Sequence, residues 1–205
     1  MRIAVNPTRM ELLQLRRRLA IAVKGHKLLK DKQDEMIRRF LLMTEEVRDL
    51  RRETERLLGK VYNRTLMARA QLSEAELRGN LLVSTAPLQI ACERDVIMNV
   101  QVPACSIAEA GDPFSYSPLS MPGELDEAVA SLRKAMPLLI KLAQMEKTVH
   151  LLAIEIERIR RRVNALEYVL IPNLQETIRY ISMKLDELER EGIVRLMKIK
   201  EIVRG

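Results

Sequence analysis

Two long stretches of the chain carry apolar residues at alternating steps of three and four. The first runs through Leu12, Leu15, Leu19, Ala22, His26, Leu29, Gln33, Met36, Phe40, Met43, Val47, Leu50, Thr54, Leu57 and Val61, and twelve of these fifteen positions are apolar. The second runs without a miss through Leu142, Met145, Val149, Leu152, Ile156, Ile159, Val163, Leu166 and Leu170. This spacing is the a/d seam of a left-handed coiled coil. Beyond Leu166 the steps become four, four and four through Leu170, Leu174 and Ile178, a stutter that locally unwinds such a coil. Ile181, Leu185 and Leu188 then restore the pattern. Asn6 and Pro7 predict the entry of the first helix, Asn as the cap and Pro at the first helical position. The second helix is expected from about Glu124, with Pro137 kinking or restarting it and Pro172 a further irregularity.

Between the seams the pattern changes. Ser73 and Glu76 form a capping box for a short helix ending near Gly79 and Asn80. Val96, Met98, Val100 and Val102 alternate with Ile97, Asn99 and Gln101, a period of two that predicts a strand. Its expected partner is 88–92, with the turn at Glu93, Arg94 and Asp95. Residues 103–123 hold four prolines and two glycines and read as loop. A hairpin alone is marginal in water, so this one must lean on the helices or on another protein.

The predicted fold class is therefore mainly α. N- and C-terminal helices form a long antiparallel two-stranded left-handed coiled coil, with a small middle region of short helix plus β-hairpin. The divisions are 1–62 for the first helix, 63–123 for the middle with its hairpin at about 87–102, and 124–205 for the second helix, all one structural unit. Setting residue 12 against about 198 brings 61 opposite about 149. The expected seam residues are Leu12, Leu15, Leu19, Leu29, Met36, Phe40, Met43, Val47 and Leu50 on one helix. On the other they are Leu152, Ile156, Ile159, Val163, Leu166, Leu170, Ile181 and Leu185.

Composition agrees: 31% of the 205 residues are charged, only 3% are aromatic and there is no Trp, a balance suited to long helices rather than a thick globular core. The net charge of +7 is unevenly spread. Residues 1–62 carry 16 Lys and Arg against 9 acids, whereas 63–123 carry 4 against 6 and 124–205 carry 15 against 13. Arg16, Arg17 and Arg18 point around much of the helix circumference at about 100° apart, so they cannot all face one surface. A solvated face explains them; nucleic acid binding does not, since stacking aromatics and recognition motifs are missing and acids are interspersed. The start, MRIAVNPTRM, is too short and too quickly charged for a signal peptide, and no apolar run of about 18 residues is present.

The chain offers little for catalysis. The adjacent acids Glu45 and Glu46, or Asp186 and Glu187, fall on helix surfaces rather than converging on a cleft. No phosphate loop, nucleophile set, cofactor motif or metal cluster is apparent. His26 on the seam reads as a tolerated polar core residue. Gly25 beside it implies either a close approach by another chain or a local packing accommodation. Cys92 and Cys105 match neither a redox CxxC pair nor a zinc site, and two free thiols in a reducing cytosol are expected.

Three stretches carry a resemblance: NPTRMELLQLRRRLAIAVKGHKLLKDKQDEMI, VIMNVQVP and EIERIRRRVNALEYVLIPNLQETIRYI. They resemble the N-terminal helix, the short strand and the C-terminal helix of the D-subunit family, the central-axle components of V/A-type rotary ATPases. The likeness extends over the whole chain, whose length matches bacterial or archaeal members better than eukaryotic ones. It implies a non-catalytic rotor axle without cofactor, transmitting torque between ATP synthesis or hydrolysis and H⁺ or Na⁺ translocation. The implied partners are a ring of A and B subunits, the F-subunit, and a funnel-shaped subunit (C or d) above the membrane rotor ring. Neither nucleic acid nor direct membrane insertion is implied, and the location is cytoplasmic, peripheral to the membrane. On this reading the ring contacts are Arg16, Arg17, Arg18, Lys24, Lys27, Lys30, Arg195, Lys198 and Lys200. The hairpin and nearby coil face the F-subunit, and 103–123 with the start of the last helix lies nearer the funnel-shaped subunit. A free-standing coiled-coil adaptor is the alternative.

Overall fold

The computed structural model describes residues 5–81, 88–109 and 122–204. Its elements are α1 (Arg9–Gln71), α2 (Glu74–Leu81), β1 (Leu88–Ile97), β2 (Val100–Glu109), α3 (Gly123–Ala165), a π-helical turn (Leu166–Leu170) and α4 (Ile171–Arg204). The mainly α expectation holds. A long N-terminal helix packs on a long C-terminal helix, and the two strands form one antiparallel hairpin.

Local chemistry sets the helix ends. The cap of α1 is Thr8, not Asn6: the Thr8 hydroxyl accepts from the Glu11 N–H at 3.2 Å, and Leu12 N–H donates to the Thr8 carbonyl at 3.0 Å. Pro7 therefore precedes the cap instead of opening the helix. The box before α2 is as expected: Ser73 Oγ accepts from the Glu76 N–H while Glu76 Oε2 accepts from the Ser73 N–H at 3.0 Å. α3 passes through Pro137 without restarting.

All fifteen positions of the first seam are buried or half-buried, the three polar ones included. On the second seam the stretch from Leu142 to Leu166 is likewise buried or half-buried, but Leu170 is 42% exposed. The π-turn explains this correction. Ile171 N–H donates to the Leu166 carbonyl, five residues back, so one extra residue is looped into the helix. With it absorbed, the buried and half-buried positions Leu166, Ile171, Leu174, Ile178, Ile181 and Leu185 are again three and four apart, counting the inserted residue out. The stutter is thus taken up in one turn rather than by unwinding. The wider turn lies directly before Pro172, whose ring would clash with a carbonyl of a regular α-turn. The seam ends at Leu185, since Leu188 is exposed.

The residues group into two compact units: 1–35 with 156–205, and 36–155. The first has a core of Leu15, Ala22, Leu174 and Ile181, flanked by Leu12, Leu19, Ile171, Ile178, Tyr180 and Leu185. Arg9 pairs with Glu189, and His26 Nε2 lies 3.3 Å from Glu167 Oε2. Arg9 beside Glu189 corrects the expected register of 12 against 198. A seam of uniform period stays apolar when slid by a heptad, so periodicity alone does not set the axial position.

The second unit packs smaller side chains: Ala68, Ala128, Ala135 and Thr54 join Met36, Leu125, Thr148 and Leu152 in the buried set. The hydroxyls of Thr54 and Thr148 donate to the carbonyls of Leu50 and Gln144 on their own helices, at 2.7 and 2.8 Å. They therefore need no partner across the seam. Arginines tie α1 to α3: Arg51 to Glu146 at 2.5 Å, and Arg64 to Ser131 and Glu127 at 2.7 and 2.9 Å.

The hairpin belongs to this second unit and departs from expectation. Its turn is Met98-Asn99, both at positive φ (50° and 69°), not Glu93 to Asp95. Two consecutive left-handed residues are what a tight two-residue hairpin turn requires, and Asn tolerates that region. β2 accordingly continues to Glu109, through residues read as loop. Pro103 is accommodated because Ile97 and Val100 close the turn, and alternation from there puts Arg94 and Pro103 in a non-hydrogen-bonded pair. Val102 is buried, and Asp95, Ile97 and Val102 line a small space of about 100 Å³ with Met43, Gln144, Met145 and Thr148. The hairpin leans on the helices through this face.

The cysteines, expected as free thiols, are directly opposed in the ladder and joined as a disulfide. A turn placed at 93–95 leaves Cys105 in a loop with no strand partner. Moving it to 98–99 brings Cys105 opposite Cys92.

Candidate partner-binding surface

The nine basic residues named from the sequence all lie in the first unit, and all are exposed. Arg16, Arg17, Arg18, Lys24, Lys27 and Lys30 decorate the first half of α1 outside its buried seam. Arg195, Lys198 and Lys200 lie near the end of α4. Arg195 reaches back to Glu191 at 3.4 Å, one turn earlier, a pairing available on an isolated helix.

The end of α4 holds more than charge. The first residue of α1 is level with Glu189, so residues 190–204 extend past it by about 22 Å. Ile193, Val194, Leu196, Met197, Ile199, Ile202 and Val203 are all exposed there, the last two at 79%. Seven large apolar side chains within eleven residues form a patch of the kind that marks an interaction site. The charge pattern of the sequence points only to the cations here and not to the apolar residues between them. The signal is present, because one seam uses two positions in seven and this stretch is apolar at more than twice that density.

Other exposed apolar residues sit beside the irregularities. The π-turn presents Tyr168, Val169 and Leu170 outward, and α1 exposes Ile21, Val23 and Leu28. At Gly25 a β-carbon would meet nothing within 4 Å, so no close approach within the chain requires glycine there. His26 has Glu167 as its carboxylate neighbour, and the described residues contain no group of three or more His, Cys, Asp or Glu placed to hold a metal.

Charge elsewhere is locally paired. A hydrogen bond from Arg161, reinforced by its charge, holds the Glu157 carboxyl below its usual range. Lys184 does the same to Glu187, and its own ammonium is pushed up in return. Ser73 lowers Glu76 through its hydroxyl and then its backbone N–H. Arg51 is raised by its hydrogen bond to Glu146. All five groups are solvated, so these shifts describe surface pairs of modest strength. The surface suits reversible contact with proteins, and no described helix is long and apolar enough to cross a membrane.

Comparison with known sequences identifies the family. The family described as the ATP synthase D-subunit matches residues 11–201. The V-type ATP synthase D-subunit of Acetivibrio thermocellus is 48% identical over 203 residues, covering 97% of this chain and 91% of its own. That of Thermoanaerobacter sp. (strain X514) is also 48% identical, covering 98% and 97%. That of Clostridium botulinum (strain Langeland) is 44% identical over 208 residues, covering 99% and 96%.

Proposed function

The chain belongs to the ATP synthase D-subunit family, and from that premise we propose that it is the central rotor axle of a V/A-type ATPase or ATP synthase. In this role it carries torque between ATP chemistry in a ring of A and B subunits and H⁺ or Na⁺ translocation in the membrane sector. It is non-catalytic, binds no cofactor and sits at the membrane periphery within the complex. The F-subunit and the funnel-shaped subunit (C or d) are its remaining partners, with the hairpin and nearby coil facing F.

The end of α4 is the observation that carries this reading. Fifteen helical residues extend past the start of α1 with apolar side chains and Arg195, Lys198 and Lys200 exposed together. Such an end suits insertion into a protein cavity, where apolar contact supplies attraction and solvated cations meet carboxylates of the ring. Arg16, Arg17, Arg18, Lys24, Lys27 and Lys30 extend the same contact along α1. Contacts that must be broken and remade at each step favour charge pairs of about 0–1 kcal/mol over a deep locked interface. Paired helices resist bending and twisting better than a lone helix, as an axle must.

The test is co-purification with A, B and F, followed by ATPase assay with and without this chain. A stable complex with one copy per A/B ring and altered turnover is expected. Exclusion from the ring, with the chain pairing with itself instead, would overturn the axle in favour of a free-standing coiled-coil adaptor.

A further inference from the structure

The hairpin holds reactive chemistry that the axle reading leaves unused. Cys92 and Cys105 face each other at mid-ladder with Cα atoms 4.1 Å apart, and they are joined as a disulfide. Their surroundings are unequal. Cys92 is exposed on β1, whereas Cys105 is half-buried on β2. Counting from the turn, Cys92 and Cys105 form a non-hydrogen-bonded pair, so the Cys105 N–H points away from β1. It donates to Gln144 Oε1 on α3 at 3.1 Å. Cys105 also lines an open groove of about 640 Å³ with Ile107, Pro137, Ile140, Lys141 and Gln144. Cys92 is therefore the exposed member of the pair, and Cys105 borders a groove that Lys141 also lines.

The disulfide also divides the hairpin. Towards the turn, β2 is held to the helices by buried Val102. Beyond the cysteines, Gln89, Ile90, Ala91 and Ser106 are exposed, and the half-buried Ile107 lines the groove on α3. A two-stranded segment with no fully buried side chain among its described positions is marginal in water, so the cross-link adds to what holds this open half in register.

We propose that Cys92–Cys105 is a reversible thiol–disulfide exchange site, read by dithiol reductants, whose state sets the order of the open half of the hairpin. The thiolate of the reductant attacks the exposed Cys92 Sγ, and the electron pair of the S–S bond leaves on Cys105 Sγ. Lys141, a cation lining the same groove, favours the departing thiolate. The second sulfur of the reductant then attacks its own partner sulfur in the mixed disulfide and releases the Cys92 thiolate. The reductant closes to a disulfide, giving up two electrons and two protons, and the chain gains two thiols. A partner reading this β surface meets a stapled ladder in one state and a loosened one in the other. The inference stands on the hairpin alone and is independent of the ring-assembly experiment.

The full-length chain is equilibrated with dithiothreitol at graded ratios of reduced to oxidised form, then followed by thiol alkylation and amide hydrogen exchange. Both cysteines should open and close together and reversibly. In the dithiol form, amides of 88–92 and 105–109 should exchange about tenfold faster or more, while those of the α1 and α3 seams stay unchanged. The double variant Cys92→Ser/Cys105→Ser should show the faster exchange at every ratio, separating loss of the bond from any effect of the reductant. Oxidised glutathione should capture Cys92 in Cys105→Ser faster than it captures Cys105 in Cys92→Ser. Two alkylatable thiols at every ratio would overturn the proposal. So would opening that leaves hairpin exchange unchanged, or faster capture at Cys105.

Discussion

The two units join helices by different means. In the first, branched aliphatic side chains, Leu15, Ile159, Val163, Leu174 and Ile181, make up most of the buried set, with Ala22 and Thr177 beside them. Its polar links between helices include Arg9 to Glu189 and His26 to Glu167. In the second, alanines and threonines are buried at Ala68, Ala128, Ala135, Thr54 and Thr148, and arginines reach across from α1 to α3. Small residues let backbones approach closely, and the unit also carries a hairpin with its disulfide. One seam periodicity therefore supports two kinds of packing: one filled mainly by large aliphatic residues, and one richer in buried alanine and threonine. It is in the first that the chain carries an inserted residue and a helix end extending past its partner.

The π-turn provides the largest test. Deleting Glu155 from α3 would put every apolar position after it out of phase and abolish cooperative melting of the first unit. Deleting Val169 together with Pro172→Ala should instead retain it, because removing the looped residue restores plain three-four spacing from Val163 to Leu185. Circular dichroism melting of the two variants decides this, and equal damage would show that the turn does not absorb the insertion.

Ile181→Asp buries an unpaired carboxylate and should cost about 3–5 kcal/mol. Amide exchange should accelerate in 9–35 and 156–204 and leave the hairpin protected. Acceleration everywhere would show that the units unfold as one. Ala135→Leu tests the tighter packing: a fully buried alanine has no room for three more carbons, and a loss of about 1–3 kcal/mol is expected in chemical denaturation. Gly25→Ala has the opposite sign. With open space around its β-carbon, the substitution should stabilise the isolated chain by about 1 kcal/mol. If a partner backbone packs there, the same variant will bind the A/B ring more weakly.

The smallest effect is a pH dependence at α2. Ser73 holds Glu76 below its ordinary value, so this contribution is complete above the usual carboxylate range, about 4.3, and is lost as pH falls through the lowered one. Amides at the start of α2 should lose protection there on acidification, and Glu76→Gln should remove the dependence.

Much of this was legible in the chain itself. Both seams, the capping box before α2 and the exposed cations follow from residue spacing, because burial of one face and local hydrogen bonding act over a few neighbouring residues. Leu170 was misplaced because a stutter can be resolved by unwinding or by a π-turn, and only packing against the opposite helix selects between them. The apolar end of α4 was legible in composition but not as a surface, since exposure depends on where α1 begins beside it.

The sequence by itself determined which residues face a partner helix and where most helices start. The tertiary structure decided how far each helix extends past the other, where the hairpin turns and which side chains meet across it. The physical reason is degeneracy. A repeating seam is satisfied by several axial positions and an alternating strand by several turns, and only contacts between residues distant in sequence separate these options. Arg9 with Glu189, Arg51 with Glu146, and Cys92 with Cys105 are those contacts here.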